Sequence, residues 1–127
     1  GMLGIANYFV KKGHLSSPCH YQFCLGVLGG MPATVENLVY LVNHIPEGST
    51  WSAFGVGAQH LPIMYAALAL GGNIRVGLED NVYMSKGVPA SNVALVERAV
   101  KAVETFGKRP ATPAEAREIL GIPQLVR

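Results

Sequence analysis

Two adjacent carboxylates, Glu79 and Asp80, close the stretch GGNIRVGLEDN (residues 71–81), and Arg75 precedes them. Glu79 is a hard oxygen ligand of the sort that stands beside two histidines in catalytic zinc sites. Asp80 can serve as a general base or orient a cation, and the planar guanidinium of Arg75 suits a carboxylate or an enolate. The stretch reads as a strand between glycines and an Asp-Asn turn signal. Alternation then sets Ile74, Val76 and Leu78 on one face and Arg75, Gly77 and Glu79 on the other. An unpaired buried charge is costly, so the polar face is expected to look into a cleft, toward a partner charge or a metal. A purely structural Arg-Glu pair explains the same residues. Arg75 and Glu79 lie roughly 13 Å apart along a strand, with Gly77 leaving a gap over which the arginine can extend. Strict alternation turns Asp80 away from Glu79, so either the strand ends at Glu79 or Asp80 acts from the turn.

The elements that must position these groups follow from the punctuation. Residues 3–12 predict a short helix ended by Gly13. YQFCLGVLGG (21–30) predicts an apolar strand running into glycines, and 31–45 a helix capped by Thr34 with Leu38, Leu41, Val42 and Ile45 as its apolar stripe. WSAFGVG (51–57) is a second strand, and a helix with Pro62 in its first turn follows to Gly71. The opening stretch is the third strand. Residues 91–107 form its helix, capped by Ser91 and ended by Gly107, and Thr112, Pro113, Glu115 and Gly121 mark a last helix at its cap, first, third and stop positions. Three strand–helix alternations predict an α/β chain with a parallel sheet, in one domain over residues 1–127. With helices on one side only, the sheet face holding Arg75 and Glu79 is left open, to be closed by a barrel or a partner.

Composition supports that expectation. The chain has 127 residues, 50% of them hydrophobic and only 14% charged, against a usual ~25% charged. A domain this small should be more polar, so the excess predicts apolar surface covered by another protein surface. No continuous apolar run approaches the ~18 residues of a membrane span. The net charge is +2, and the basic residues, including Lys11-Lys12, Lys108-Arg109 and Arg127, are scattered, which argues against nucleic acid. Cys19 and Cys24 lack a second pair for a zinc ribbon or a disulfide framework and are expected as reduced thiols. The first dozen residues lack a secretory pattern, and a cytoplasmic location is the expectation. Gly1 ahead of Met2 reads as an added residue.

Other candidate groups compete with plainer readings. Gly29-Gly30, at the end of the first strand, resembles an anion cradle near a helix start, although tight strand–helix packing explains the glycines more simply. His60 follows the second strand end and can reach the same mouth, but a lone loop histidine is more often simply satisfied there. Cys19-His20 with Cys24 invites a metal, yet Cys24 falls inside a strand and core packing is the better account. The helix dipole accounts for His44, and His14 follows a glycine in a turn.

At this point the sequence resembles the β-keto acid cleavage enzymes, typified by 3-keto-5-aminohexanoate cleavage enzyme. The likeness rests on LGVLGGMPATVENL (25–38), STWSAFGVGAQHLP (49–62), GGNIRVGLEDNVY (71–83), SNVALVERAV (91–100) and ATPAEAREILG (111–121). It implies a zinc-dependent (β/α)8 TIM barrel that condenses a β-keto acid with acetyl-CoA to give acetoacetate and a new CoA thioester. It also implies Glu79 as a zinc ligand beside two histidines from an early strand, and Arg75 with Asp80 as the catalytic pair. Gly29, Gly30 and Asn81 are its candidates for substrate binding.

A complete barrel needs about 250 residues and eight strands. Three strands therefore match its C-terminal βα units, and none of His14, His20, His44 or His60 matches the paired zinc histidines. One expectation is a cleavage enzyme portion, active when the remaining barrel comes from the same precursor or another chain. A second is an inactive partial barrel that self-associates as a homo-oligomer or binds a partner through its open face. A third is a small-molecule binding module using the Gly29-Gly30 mouth.

Overall fold

Alternation in the first strand decides the layering. In β1 (His20–Leu25) Tyr21, Phe23 and Leu25 are buried while His20, Gln22 and Cys24 are exposed. β2 (Thr50–Gly55) runs parallel beside it with His20 opposite Thr50 and Leu25 opposite Gly55, and β3 (Asn73–Ile74) pairs in parallel with Ser52 and Ala53. The order β1-β2-β3 makes a three-stranded parallel sheet. The computed structural model describes residues 1–123; Arg127 lies outside them.

Three helices cover one face. Leu38 of α2 (Val35–Val42) and Ile63 and Ala67 of α3 (His60–Ala69) pack against Tyr21, Phe23, Leu25, Trp51 and Ala53. The opposite side of α3, through Met64 and Leu68, packs on Ala99 and Ala102 of α4 (Asn92–Thr105). α3 is apolar on two sides because it lies between the sheet and α4. Leu3 and Ala6 of α1 (Met2–Lys11) pack on the edge of the first cluster. Gly72, just before β3, is required by this packing, since a Cβ there would overlap three ring atoms of the buried Trp51.

The helix ends follow local chemistry. Thr34 accepts from the Asn37 N–H and Ser91 from the Ala94 N–H. α5 (Pro113–Leu120) carries a full capping box between Thr112 and Glu115, and Gly121 ends it at φ 64°. Paired with Arg109 and the Thr112 N–H, the Glu115 carboxyl is held down at about 2.

The third strand departs from expectation. It ends at Ile74, and the Asp80 and Asn81 N–H groups both donate to the Gly77 carbonyl, closing a turn where extended backbone was expected. Among the described residues β3 pairs with β2 alone, so no second ladder there holds residues 75–79 extended. Ile74 and Val76 do reach the helix side, but Leu78 is exposed. A hairpin of β4 (Tyr83–Ser85) and β5 (Val88–Pro89) follows, unforeseen, its turn made by Lys86 and Gly87 at φ 77°.

The far face of the sheet carries His20, Gln22, Cys24, Thr50, Ser52, Phe54 and Asn73, and no β-strand or helix of the three-layer core covers it. Among the described residues only α5 approaches, lining a cleft with Ala116, Ile119 and Leu120 against His20, Gln22 and Ser52. The core reading of the two cysteines is half corrected. Cys19 packs against the core, but Cys24 is exposed on the open face because it shares the outward register of His20 and Gln22.

Candidate functional site

The turn that replaces the end of the third strand draws its charges together. Asp80 sits in that turn. Its carboxylate accepts Nε of Arg75 at 2.9 Å and Nη2 at 3.0 Å, a side-on bidentate pair. The Asp80 side chain is only 7% exposed, whereas that of Glu79 is 60% exposed, 3.5 Å from Arg75 Nη2. The roughly 13 Å separation expected of an extended strand is therefore abolished. The Glu79 carboxylate lies back over Gly77, in the space a Cβ there would take.

Arg75 lies flat across the open face. Its Cζ sits 4.5 Å from the Phe54 ring centroid, a cation–π contact that also buries the phenyl group. Nη1 donates to Gln22 Oε1 on β1 at 2.9 Å. Three of the five guanidinium N–H groups are thus used in hydrogen bonds, leaving one on each terminal nitrogen. Beside this pair, burial pushes the Cys24 thiol up, Asp80 adds to the effect and Arg75 opposes it.

Asn81, expected to contact substrate, ties the turn to β2. Its Oδ1 accepts the Gly57 N–H at 2.7 Å and its Nδ2 donates to the Gly55 carbonyl at 2.9 Å, which clamps the turn to the end of β2. His60 belongs to the same clamp. Its Nδ1 donates to the Gly57 carbonyl and its Nε2 accepts from Arg98 Nη2, because carbonyl and guanidinium each allow one role only. Arg98 also donates to the Met84 carbonyl, tying the hairpin to α4, while its buried Nε has no partner among the described residues. His60 is thus satisfied as expected, but at the first residue of α3 rather than in a loop.

The glycine pair Gly29-Gly30 makes a turn, with Gly29 at φ 82° and the Gly30 N–H donating to the Val27 carbonyl. α2 starts five residues beyond Gly30, so that N–H is not part of a cradle at a helix start. His44 donates to the Tyr40 carbonyl near the end of α2 and stacks on the Tyr40 ring.

Among the described residues no three His, Cys, Asp or Glu side chains converge on a point that could hold a metal ion. A zinc ion requires about four donors, and Glu79 offers one, so these residues do not by themselves make a zinc site. What they do make is a carboxylate–guanidinium pair with open N–H groups, next to a solvent-facing second carboxylate.

The family model for beta-keto acid cleavage enzyme matches residues 1–122. The chain belongs to the β-keto acid cleavage enzyme family. A 3-keto-5-aminohexanoate cleavage enzyme of Acetoanaerobium sticklandii is 48% identical over 122 residues, which cover 95% of this chain and 45% of that protein. A protein of the same name from Fusobacterium nucleatum is 45% identical, covering 96% of this chain and 44% of its own length. A 3-dehydrocarnitine:acetyl-CoA trimethylamine transferase of Rhizobium meliloti is 39% identical, over 94% of this chain and 40% of that protein. The chain thus spans less than half the length of these family members.

Sequence reasoning did not find Gln22, Phe54 or Arg98. For Gln22 the signal was present: HYQFCL alternates polar and apolar residues, which places Gln22 on the open face with the charges.

Proposed function

We propose that this chain supplies one wall of the active site of an acetyl-CoA-dependent β-keto acid cleavage enzyme, its three strands forming C-terminal βα units of a (β/α)8 barrel. The observation that carries the proposal is the Arg75–Asp80 pair, set on an open sheet face at the C-terminal end of β3. Reactive groups of parallel α/β folds gather at that end.

In this reading one of the N–H groups left on Arg75 holds the carboxylate or enolate oxygen of the keto acid, and Asp80 takes a proton from the carbon between its two carbonyls. The carbanion attacks the acetyl thioester and expels the CoA thiolate. Attack of that thiolate on the original keto carbonyl breaks the carbon–carbon bond, releasing the new acyl-CoA. The acetoacetate carbanion then recovers the proton. Glu79 faces solvent as a carboxylate open to one more partner; it would be this chain's single contribution to a zinc site whose histidines come from elsewhere in the barrel. Gly29 and Gly30 border the substrate mouth through their turn, and Asn81 serves the substrate by fixing the turn. The uncovered face takes either the rest of the barrel or a second copy, and no helix is long and apolar enough to cross a membrane among the described residues.

The missing metal donors favour a second reading, an inactive partial barrel that self-associates or binds a partner. One assay separates the two. The protein, purified in the form its cells make, is incubated with acetyl-CoA and, in turn, 3-keto-5-aminohexanoate, 3-dehydrocarnitine and 3-oxoadipate, the last chosen because a 3-oxoadipate:acetyl-CoA acetyltransferase of Cupriavidus necator is 37% identical. Acetoacetate and a matching acyl-CoA from at least one acid are the expected products. Absence of acetoacetate with every acid, from a folded protein, overturns the enzyme reading.

A further inference from the structure

Asp80 and Glu79 sit on the same short segment as Arg75, so neither can hold that segment against the sheet. Among the described residues outside its own segment, the guanidinium meets the Phe54 ring beneath it and Gln22 of β1. Phe54 supplies a surface but no direction. Gln22 supplies direction.

Arginine has only donors, so the Gln22 atom facing Nη1 is its oxygen, and its amide nitrogen is left to donate. That nitrogen points at Ser52 Oγ, at a long 3.4 Å. Ser52 is buried, and its Oγ is also 3.0 Å from His20 Nε2, while His20 Nδ1 lies 2.9 Å from Thr50 Oγ1. A continuous chain of hydrogen bonds therefore crosses the open face from Thr50 through His20, Ser52 and Gln22 to Arg75 and Asp80. Burial lowers the His20 pKa, which favours the neutral ring with one donor and one acceptor. Gln22 lies opposite Ser52 in the β1–β2 register, so the backbone ladder itself sets the distance.

We propose that Gln22, oriented by Ser52 and His20, is the positioning residue that aims the Arg75 guanidinium across the sheet. The role in turnover rests on the reading of Arg75 as a reacting-site residue; the aiming itself does not. With the Gln22 acceptor removed, Nη1 turns to water; the Asn81 clamp still holds the turn on β2 and the Phe54 ring still supports the guanidinium, but neither fixes the direction of Nη1.

The test uses side-chain nitrogen NMR of Arg75, assigned by loss of its signals in Arg75→Lys. Rotation about the Cζ–Nη1 bond is measured in the wild-type chain and in three variants. Gln22→Leu removes the acceptor, Gln22→Asn draws it back by one methylene, and Gln22→Glu keeps an acceptor oxygen in place. Rotation about 10-fold faster in the Leu and Asn variants is expected, the size of one hydrogen bond to a charged group, with slow rotation retained in Gln22→Glu. Should Gln22→Leu fail to fold, Gln22→Asn decides alone. Unchanged rotation in the folded variants overturns the proposal, as does equal acceleration in all three. In the form that turns over keto acid, kcat is expected to fall with KM unchanged in the Leu and Asn variants and to recover in Gln22→Glu. A wild-type protein without turnover sinks the reaction reading while the rotation rates still decide the positioning role.

Discussion

Replacing Asp80 with asparagine is expected to lower kcat for acetoacetate formation by roughly 10²–10⁴-fold while leaving the protein folded. The substitution keeps the shape of the side chain but removes its charge and turns one of its two acceptors into a donor. The amide nitrogen then faces an N–H of Arg75, so the bidentate pair loses one hydrogen bond and its counter-ion. The remaining carboxylate, Glu79, is mostly exposed and 3.5 Å from Nη2, too screened to take over. The proton acceptor is lost together with the bidentate partner of the guanidinium. Because the proposed base works chiefly in the transition state, kcat should carry the loss and KM should stay nearly constant. Steady-state kinetics on the active form, with circular dichroism to verify folding, measures this. A variant that keeps wild-type kcat removes Asp80 from the chemistry.

Ile63→Ala is the substitution expected to cost most stability, about 2–5 kcal/mol. Ile63 is fully buried, with the sheet face on one side and α3 locked against α4 on the other. Its Cγ1 would lie 3.1 Å from a Cβ placed on Gly55, so strand and helix meet there with no room for a side chain on the strand. That closeness is also why the gap left by alanine cannot collapse easily, since the β2 backbone is held in register by β1 on one side and β3 on the other. Urea unfolding should show the midpoint falling with the slope unchanged. A loss under about 1 kcal/mol would mean that the site relaxes and that the α3–sheet contact is not the centre of the core.

Some of this architecture is legible because the signal is local. Thr112, Pro113, Glu115 and Gly121 bracket α5 by chemistry confined to the helix ends, and the capping box appears there as read. Ser91 and Thr34 behave in the same way. The alternating faces of β1 are equally legible, and with them the open polar face. What failed depended on partners distant in the chain. IRVGLED has the composition of a strand, but a strand needs a neighbour, and β3 has one only on the β2 side. Cys24 was taken as core because it falls inside a strand, although the period-2 register turns it outward. The Asn81 clamp on Gly55 and Gly57 spans more than twenty residues and has no local signature. The charged trio itself was legible from residue types and family motif. Its geometry was not, because the turn is held by hydrogen bonds to the Gly77 carbonyl and by the distant Asn81 clamp.

The most direct test of the central claim follows the acetyl group. A single turnover of the active form with acetyl-CoA carrying ¹³C at both acetyl carbons, and with the keto acid that it accepts, is read by NMR. The account predicts label at C3 and C4 of acetoacetate, unlabelled acyl-CoA, and loss of this transfer in Asp80→Asn. Label that stays on CoA, or transfer that is as fast in Asp80→Asn as in the wild type, would contradict it.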